Sequence, residues 1–250
     1  MTEHPPHSPG VDLLDVHRLR CAEAAPPALS PGEREAMERE WEEAVRANPS
    51  LFDGPTVLCT RLHWEEPGSL VLSWARAPYR YRALRRIPGA RPVSSVSVCL
   101  VQPTDDGRLV VGRMASWTAA PGRWQLPGGS MEPPPGGAAL DLAALRRHAA
   151  RELVEETGVE TPPEELTFWL VSRGEHGNVG FFFRAPARPA RLLHERFAAR
   201  AAAERARGVE PELDRIALVA SAGDLAGLDG SHVDYLHPVV HRYAGTHRAG

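Results

Sequence analysis

The chain has 250 residues, of which 42% are hydrophobic and 24% are charged, a composition typical of a globular protein. Its formal net charge of -3 provides no basic field that would favour nucleic acid as a partner. No stretch approaches the roughly 20 apolar residues that a membrane span requires, and the polar, proline-rich start lacks the pattern of a signal peptide. These features predict a cytoplasmic protein without a nucleic-acid or membrane partner.

The cysteines and the basic residues limit the chemistry further. Cys21, Cys59 and Cys99 lack metal-ligand spacing, and free thiols in a reducing compartment are the simplest interpretation. All 29 basic residues are arginine. A phosphate site in this chain would therefore be built from guanidinium groups, which bind phosphate bidentately.

The N-terminal part begins with a segment of unusual composition. Residues 1–30 are rich in proline, histidine and alanine, and we expect them to be poorly ordered apart from a short strand within residues 11–19. A helix begins at Ser30 to Glu33, which supply an N-cap, a proline in the first turn and a capping-box glutamate. Asn48 and Pro49 end this helix.

Two apolar runs after this helix predict a β-hairpin. They cover residues 56–62 and 69–74 and are joined through a turn that contains proline and glycine. We therefore expect residues 31–91 to form a small N-terminal subdomain of one helix and one hairpin. Residues 92–250 would then form the main domain.

The main domain shows short strands interrupted by helices. Strands are predicted at residues 93–101, 108–114, 167–171, 179–184 and 215–219, and helices ending near 158 and covering 191–207 and 232–243. The strands are not in regular βαβ alternation. The pattern therefore predicts an α/β fold of the α+β kind, with a mixed β-sheet sandwiched between helices and preceded by the small N-terminal subdomain.

Three glutamates near the end of one predicted helix provide the strongest chemical signal. Glu152, Glu155 and Glu156 are spaced at i, i+3 and i+4, so they share one helical face. Their charges repel one another, and the helix dipole is unfavourable to acids at this end. A bound Mg²⁺ or Mn²⁺ would offset both effects, because these ions prefer carboxylate oxygens. A solvated acidic face is the alternative interpretation.

The surroundings of these glutamates resemble the box of the Nudix hydrolases, G-x5-E-x7-R-E-U-x-E-E-x-G-U, where U is a bulky aliphatic residue. Every fixed position from Arg151 to Val159 matches, and the loop Leu126 to Gly129 matches upstream. The resemblance covers about residues 92–243. It implies a mixed sheet between helices and a metal-dependent hydrolase that cuts a diphosphate linkage.

The spacing within the box departs from the family pattern. Arg151 lies 22 positions after Gly129, eight more than in the family, and the extra residues fall around residues 133–137. The mid-box glutamate is missing, because its place is taken by Pro135 or, counted from the other end, by Ala143. The extra residues could lengthen the helix or form a loop.

Two other acidic residues are candidates to replace the missing glutamate. Glu132 lies in the extended region of the box, and Asp141 lies three helical turns before Glu152. For Asp141, a plain N-cap is the favoured interpretation. The missing glutamate puts the number of bound metal ions and the reaction rate in doubt more than metal binding itself.

The resemblance also implies roles for individual residues. Glu152, Glu155 and Glu156 are implied as metal ligands, with Gly129 contributing its backbone carbonyl and Arg151 orienting one carboxylate. Water would attack one phosphorus atom of the diphosphate while the metal ions lower its pKa and neutralise the leaving group. One of the glutamates, or a carboxylate from another loop, would be the general base.

Four residues outside the box remain open. Glu212 lies just before a predicted strand and is either a further metal ligand or a surface residue. Arg113 and Arg123 flank the predicted cleft and either bind substrate phosphate or are solvated. His176 is interpreted as a loop residue.

The sequence upstream of the box is the only indication of the substrate. Residues 48–55 and the following hairpin loosely resemble the N-terminal part of Nudix proteins that hydrolyse UDP-glucose and other nucleoside diphosphate sugars. The hypothesis is a nucleoside diphosphate-sugar pyrophosphatase, with ADP-ribose, NADH or dinucleoside polyphosphates as other substrates. A nucleotide-sugar sensor, and a protein that docks partners through the proline-rich residues 1–9 and 133–137, remain open, as does a homodimer.

Overall fold

The computed structural model describes residues 10–90, 93–174 and 177–247. Its ten strands in this part of the chain are β1 Asp12–Leu14, β2 Arg18–Glu23, β3 Pro55–Glu66, β4 Ser69–Pro78, β5 Ser94–Val101, β6 Leu109–Met114, β7 Trp124–Gln125, β8 Thr167–Arg173, β9 Val179–Arg184 and β10 Leu213–Val219. Its α-helices are α1 Pro31–Ala47, α2 Leu142–Thr157, α3 Ala190–Ala206, α4 Ala222–Ala226 and α5 Leu236–His247. The strands and helices predicted from the hydrophobic pattern are confirmed, several with longer or displaced ends.

The strands form one large and one small sheet. The large sheet has seven strands in the order β1-β8-β9-β5-β3-β4-β2, and the small sheet has the order β10-β6-β7. The pairs β5–β9 and β2–β4 are parallel, whereas the other pairs of the large sheet are antiparallel. The predicted mixed sheet is confirmed. Because β3 pairs with β5, this sheet crosses the predicted boundary at residue 91, and the division into domains stays a prediction.

The central strand β5 shows why helices cover both faces of the sheet. Side chains alternate between faces along a strand. Val96, Val98 and Leu100 belong to the same buried cluster as residues of α2. Cys99 and Val101 belong to a second cluster that includes residues of α5. Among the described helices, none combines the length and apolar character needed to cross a membrane.

Residues 10–30 were expected to be poorly ordered apart from a short strand within residues 11–19, and the structure has two strands there, β1 and β2. Strand β1 pairs with β8 and strand β2 pairs in parallel with β4, at the two edges of the large sheet. In β2, Leu19 and Cys21 pack against the core while charged neighbours face outward. Backbone pairing at the edges of the sheet orders this segment. Amino-acid composition does not indicate such pairing. Residues 1–9 lie outside the described residues.

The extra residues of the box form a loop and leave the helix unlengthened. A 3₁₀ turn at Pro135–Gly137 lies in this loop, with Gly136 and Gly137 at φ 59° and 79°. Helix α2 begins only at Leu142, and the Asp141 carboxylate accepts the N–H of Ala144 at 2.7 Å. Asp141 is therefore an N-cap and does not replace the missing glutamate.

Replacing Asp141 tests this assignment. The Asp141→Ala variant should lose about 1 kcal/mol of unfolding free energy, because one N-terminal N–H of α2 loses its acceptor. Asp141→Asn should retain most of that stability, since an amide oxygen also caps. Urea denaturation measures both variants, and equal losses in the two would contradict a capping role.

Candidate active site

The site is organised around the turn formed by Gly128 and Gly129, which lies between strand β5 and helix α2. Gly128 has φ 142°, and a Cβ added to it would lie 2.1 Å from the carbonyl oxygen of Val98. A Cβ on Gly129 would lie 2.6 Å from a carboxylate oxygen of Glu152. Gly128 therefore requires glycine, because its φ is positive and the obstructing atoms are backbone atoms of β5. At Gly129 the obstructing atoms belong to the Glu152 carboxylate of α2, which would have to move if a side chain were added.

The backbone of this turn is hydrogen-bonded both to α2 and to β5. The N–H of Gly128 donates to Oε2 of Glu156 at 2.7 Å. The carbonyl of Gly129, predicted to be a metal ligand, accepts the N–H of Val98 at 3.0 Å. A carbonyl oxygen has two lone pairs, so one lone pair of Gly129 is left for a cation.

Glu156 is buried beside this turn. Its Oε1 has no hydrogen-bond partner among the described residues. Burial raises the pKa of Glu156 well above its usual value, the charges of Glu212 and Glu152 raise it further, and the hydrogen bond from Gly128 acts in the opposite direction. A buried carboxylate oxygen without a donor suits a cation.

Glu155 and Glu212 complete a group of four carboxylates. The Glu155 side chain is 53% exposed, and its pKa is raised by partial burial and by Glu152. The pKa of Glu212 is raised by its partly enclosed position and then by Glu152 and Glu155. The structure therefore brings Glu212, from the segment before β10, to the three glutamates of α2.

This donor set fits a divalent cation. Glu155, Glu156 and Glu212 have raised pKa values to which neighbouring carboxylates contribute, and Glu156 has a buried oxygen without a partner among the described residues, so positive charge would relieve this group. In the described part of the chain, no three His, Cys, Asp or Glu side chains already have the arrangement of a metal site. Metal binding would therefore require rotation of these side chains.

A chain of polar contacts holds Glu152 in place. His148 Nε2 lies 3.0 Å from Oε1 of Glu152 and 3.0 Å from the carbonyl oxygen of Ser130. The other ring nitrogen, Nδ1, lies 2.6 Å from Nη2 of Arg151, so Arg151 donates and the proton resides on Nε2. The same Nη2 contacts Glu132 at 2.8 Å. Arg151 thus acts on Glu152 through a histidine whose role the sequence analysis missed.

These contacts bear on the missing mid-box glutamate. Of the two candidate replacements, Glu132 pairs with Arg151, whereas Asp141 caps α2. Glu132 lies in the loop and not on the helix, so it reaches Arg151 from a position that the family spacing does not indicate.

A cavity of about 440 Å³ adjoins the glycine turn. Its wall includes Gly128, Gly129 and Glu212 from the site described above, and Arg123 from the loop before β7. Arg123 donates to the carbonyl of His232 at 3.2 Å. Among the described residues, no carboxylate lies within ion-pair distance of Arg123, and its charge is available to an anionic ligand.

Arg113 is placed differently from its prediction. Its guanidinium pairs bidentately with Asp214, both contacts at 2.9 Å, and reaches Asp229 at 3.1 Å. Arg113 is not among the residues that line the cavity, and Asp214 of the neighbouring strand β10 holds its guanidinium. This position does not support substrate binding by Arg113. His176 lies outside the described residues.

Other cavity residues come from distant parts of the chain. Tyr79 and Arg82 belong to the 3₁₀ helix Tyr79–Arg86, and Asp234 and Tyr235 immediately precede α5. The sequence analysis missed all four. The three-residue spacing of Tyr79 and Arg82 was the one available signal, because such residues share a face in a 3₁₀ helix.

Comparison with known proteins identifies one family. A family model described as NUDIX domain matches residues 92–226, more than half of the chain. A search of curated proteins gives no match.

Similar solved structures carry related descriptions. They include a MutT protein from Methanosarcina mazei Go1, with 18% identity, 62% of this chain and 96% of that chain covered, and a TM-score of 0.42. A NUDIX hydrolase from Nitrosomonas europaea has 17% identity, 62% and 90% coverage, and a TM-score of 0.36. The NUDIX domain of Shewanella oneidensis NrtR, complexed with ADP ribose, has 16% identity, 65% and 93% coverage, and a TM-score of 0.39.

The raised pKa of Glu156 predicts a pH-dependent stability. The folded protein holds this proton more tightly than the unfolded chain, so stability falls as pH rises above about 4.3, the pKa of a free glutamate. Glu156→Gln removes this loss and keeps an acceptor for Gly128. With a chelator present, the variant should resist urea better than wild type at pH 7, and the difference should shrink toward pH 4. A less stable variant at pH 7 would contradict the electrostatic description.

Proposed function

This chain belongs to the Nudix family of pyrophosphohydrolases, and we propose that it hydrolyses a nucleoside diphosphate sugar to a nucleoside monophosphate and a sugar 1-phosphate. The more general activity, cleavage of a diphosphate linkage in a nucleoside diphosphate derivative, is the activity of the family. Nudix hydrolases generally depend on divalent metal ions, and we propose Mg²⁺ or Mn²⁺ here. The observation that carries the proposal is the buried, unpartnered carboxylate oxygen of Glu156 beside a glycine turn in a cavity wall.

The residues that would hold the metal are the four clustered carboxylates. They are Glu152, Glu155, Glu156 and Glu212, joined by the free lone pair of the Gly129 carbonyl. When bound, a divalent cation lowers the pKa of water and neutralises charge on phosphate oxygens. Because Glu152 is held through His148, the role of the Arg151–Glu132 pair is to position a ligand.

The reaction requires a proton acceptor and a phosphate-binding cation. Water forms a bond to one phosphorus, the bond from that phosphorus to the bridging oxygen breaks, and the water proton passes to a carboxylate. Glu155 and Glu212 are the candidate bases, because both have a raised pKa and neither is hydrogen-bonded to the glycine turn. Arg123 is the candidate phosphate clamp, since its guanidinium lines the cavity without a carboxylate partner.

The polar character of the cavity supports a substrate rich in hydroxyl groups. Gln125, Asn178 and Asp234 line the wall and offer amide and carboxylate groups. The cavity is also large enough for a small-molecule ligand. We further propose a small-molecule nucleotide partner, a cytoplasmic location and no nucleic-acid or membrane partner; homodimer formation remains a hypothesis.

A nucleotide-sugar sensor is the second candidate. Two features favour it. The mid-box glutamate is missing, and Glu152 and Glu156 already contact His148 and the Gly128 N–H, so these two carboxylates would have to give up contacts to bind a metal ion. Four mutually repelling carboxylates favour the enzyme, since a sensor gains nothing from them.

A substrate panel tests the proposal. With Mg²⁺, nucleoside diphosphate sugars should release nucleoside monophosphate, measured by chromatography of the products. Cleavage of dinucleoside polyphosphates or NADH without cleavage of any sugar derivative would make the substrate class wrong.

Substitution of one carboxylate separates enzyme from sensor. Glu155→Gln should lower kcat by at least about a hundredfold, because it removes a candidate base and metal ligand. Glu160→Gln is the matched control, since Glu160 is exposed just beyond α2 and should have no effect. A sensor would retain ligand affinity in both variants and show no turnover in wild type.

A further inference from the structure

The 3₁₀ helix Tyr79–Arg86 lies outside the span that matches the family and presents one face to the cavity. Residues three apart are aligned in a 3₁₀ helix, so Tyr79, Arg82 and Arg85 share this face. Arg85 anchors it, because its Nη2 donates to Oδ1 of Asn178. The same Oδ1 accepts the hydroxyl of Ser95 at 2.8 Å. The face is therefore fixed to the beginning of β5.

On this face Arg82 lies over an aromatic ring. Its Cζ is 4.8 Å from the centre of the Tyr79 ring, and its Nη1 donates to the Tyr79 hydroxyl at 3.0 Å. Trp41 of α1 packs against Tyr79 with 6.1 Å between ring centres and an interplanar angle of 67°. Arg82 thus lies over the Tyr79 ring, which Trp41 supports edge to face, and we call this arrangement the Tyr79–Arg82 platform.

The charge of the platform is not neutralised by the protein. Within residues 10–90, 93–174 and 177–247, no carboxylate forms an ion pair with Arg82, although Arg76 and Arg80 of the same region both have such partners. Because Tyr79 and Arg82 both line the cavity, the platform is accessible to a ligand there.

The platform and the glycine turn both lie beside β5 and line the same cavity. Ser95, next to the anchored face, and Val98, which contacts Gly128, are three residues apart on β5, or about 10 Å. A nucleoside extends from its diphosphate to its base over a comparable length. This spacing along β5 is compatible with a substrate that has its diphosphate at the glycine turn and its base at the platform.

We propose that Tyr79 and Arg82 form the nucleobase subsite, in which the base stacks on the guanidinium plane of Arg82. Guanidinium groups and aromatic rings are the protein groups on which bases stack, and a stacked guanidinium cannot be replaced by an ammonium. This inference rests on the proposed function, because a nucleobase subsite presupposes a nucleotide substrate.

Calorimetric titration of three probes tests the subsite. UMP, AMP and ribose 5-phosphate are titrated with Mg²⁺ into wild type, Arg82→Ala, Arg82→Lys and the control Arg86→Ala. Arg86 is exposed on the same 3₁₀ helix and does not line the cavity. Both Arg82 variants should bind the tighter nucleotide at least about fivefold more weakly, the effect of losing one stacked base. The affinity of the two Arg82 variants for ribose 5-phosphate should equal that of wild type. Arg86→Ala should bind both the nucleotides and ribose 5-phosphate as tightly as wild type does.

Three results would overturn the subsite. They are restored nucleotide affinity in Arg82→Lys, equal weakening of ribose 5-phosphate binding, and wild-type binding of both nucleotides no tighter than ribose 5-phosphate. The first two results would mean that Arg82 binds the phosphate through its charge and does not stack on the base. Unchanged thermal unfolding of Arg82→Lys excludes a folding defect.

Failure of the proposed function is distinguishable from failure of the subsite. If wild type binds UMP or AMP through Arg82 but cleaves no nucleoside diphosphate derivative, the function is wrong and the subsite stands. If wild type cleaves such compounds and the Arg82 variants bind nucleotides normally, the subsite is wrong and the function stands.

Discussion

Negative charge crowded against the Gly128–Gly129 turn is the constraint on which the rest of the site depends. The Glu152 carboxylate occupies the space that a Cβ on Gly129 would need, and Glu156 accepts the N–H of Gly128 while its second oxygen is buried without a partner among the described residues. Glu212 adds a further charge from another part of the chain. Such an arrangement opposes folding unless something positive binds to it.

The fold holds this arrangement from both sides. Strand β5 binds the backbone of the turn, because Val98 and Leu100 donate to the carbonyls of Gly129 and Pro127. Helix α2 is fixed by its N-cap, by the left-handed Gly158 at its end and by its buried face. The glutamates therefore cannot move away from the turn as a group, and the repulsion among them persists in the folded state.

The parts of the site that local spacing determines could be predicted from the sequence. The glycine turn and the three glutamates of α2 depend on contacts within one helix and its preceding loop. Glu132 could not be assigned, because its contact with Arg151 depends on the path of a loop that the family pattern does not contain. Arg113 was left open between phosphate binding and solvation, because its pairing with Asp214 depends on the pairing of β6 with β10.

The cavity depends even more on long-range topology. Its wall combines a 3₁₀ helix before residue 91, the glycine turn, and the segment before α5. No local pattern predicts that Arg82 and Asp234 line one cavity, because the order of strands in the large sheet brings them together. One short strand within residues 11–19 was predicted, but the second edge strand, β2, was missed for the same reason, since its order comes from backbone pairing with the distant strand β4.

Anomalous scattering from crystals soaked in Mn²⁺ tests the central claim most directly. If the carboxylates persist because they bind cations, a manganese peak should lie among Glu152, Glu155, Glu156 and Glu212, beside Gly129. Peaks confined to other parts of the surface, with Glu156 still bonded to Gly128 and its other oxygen unligated, would contradict the account.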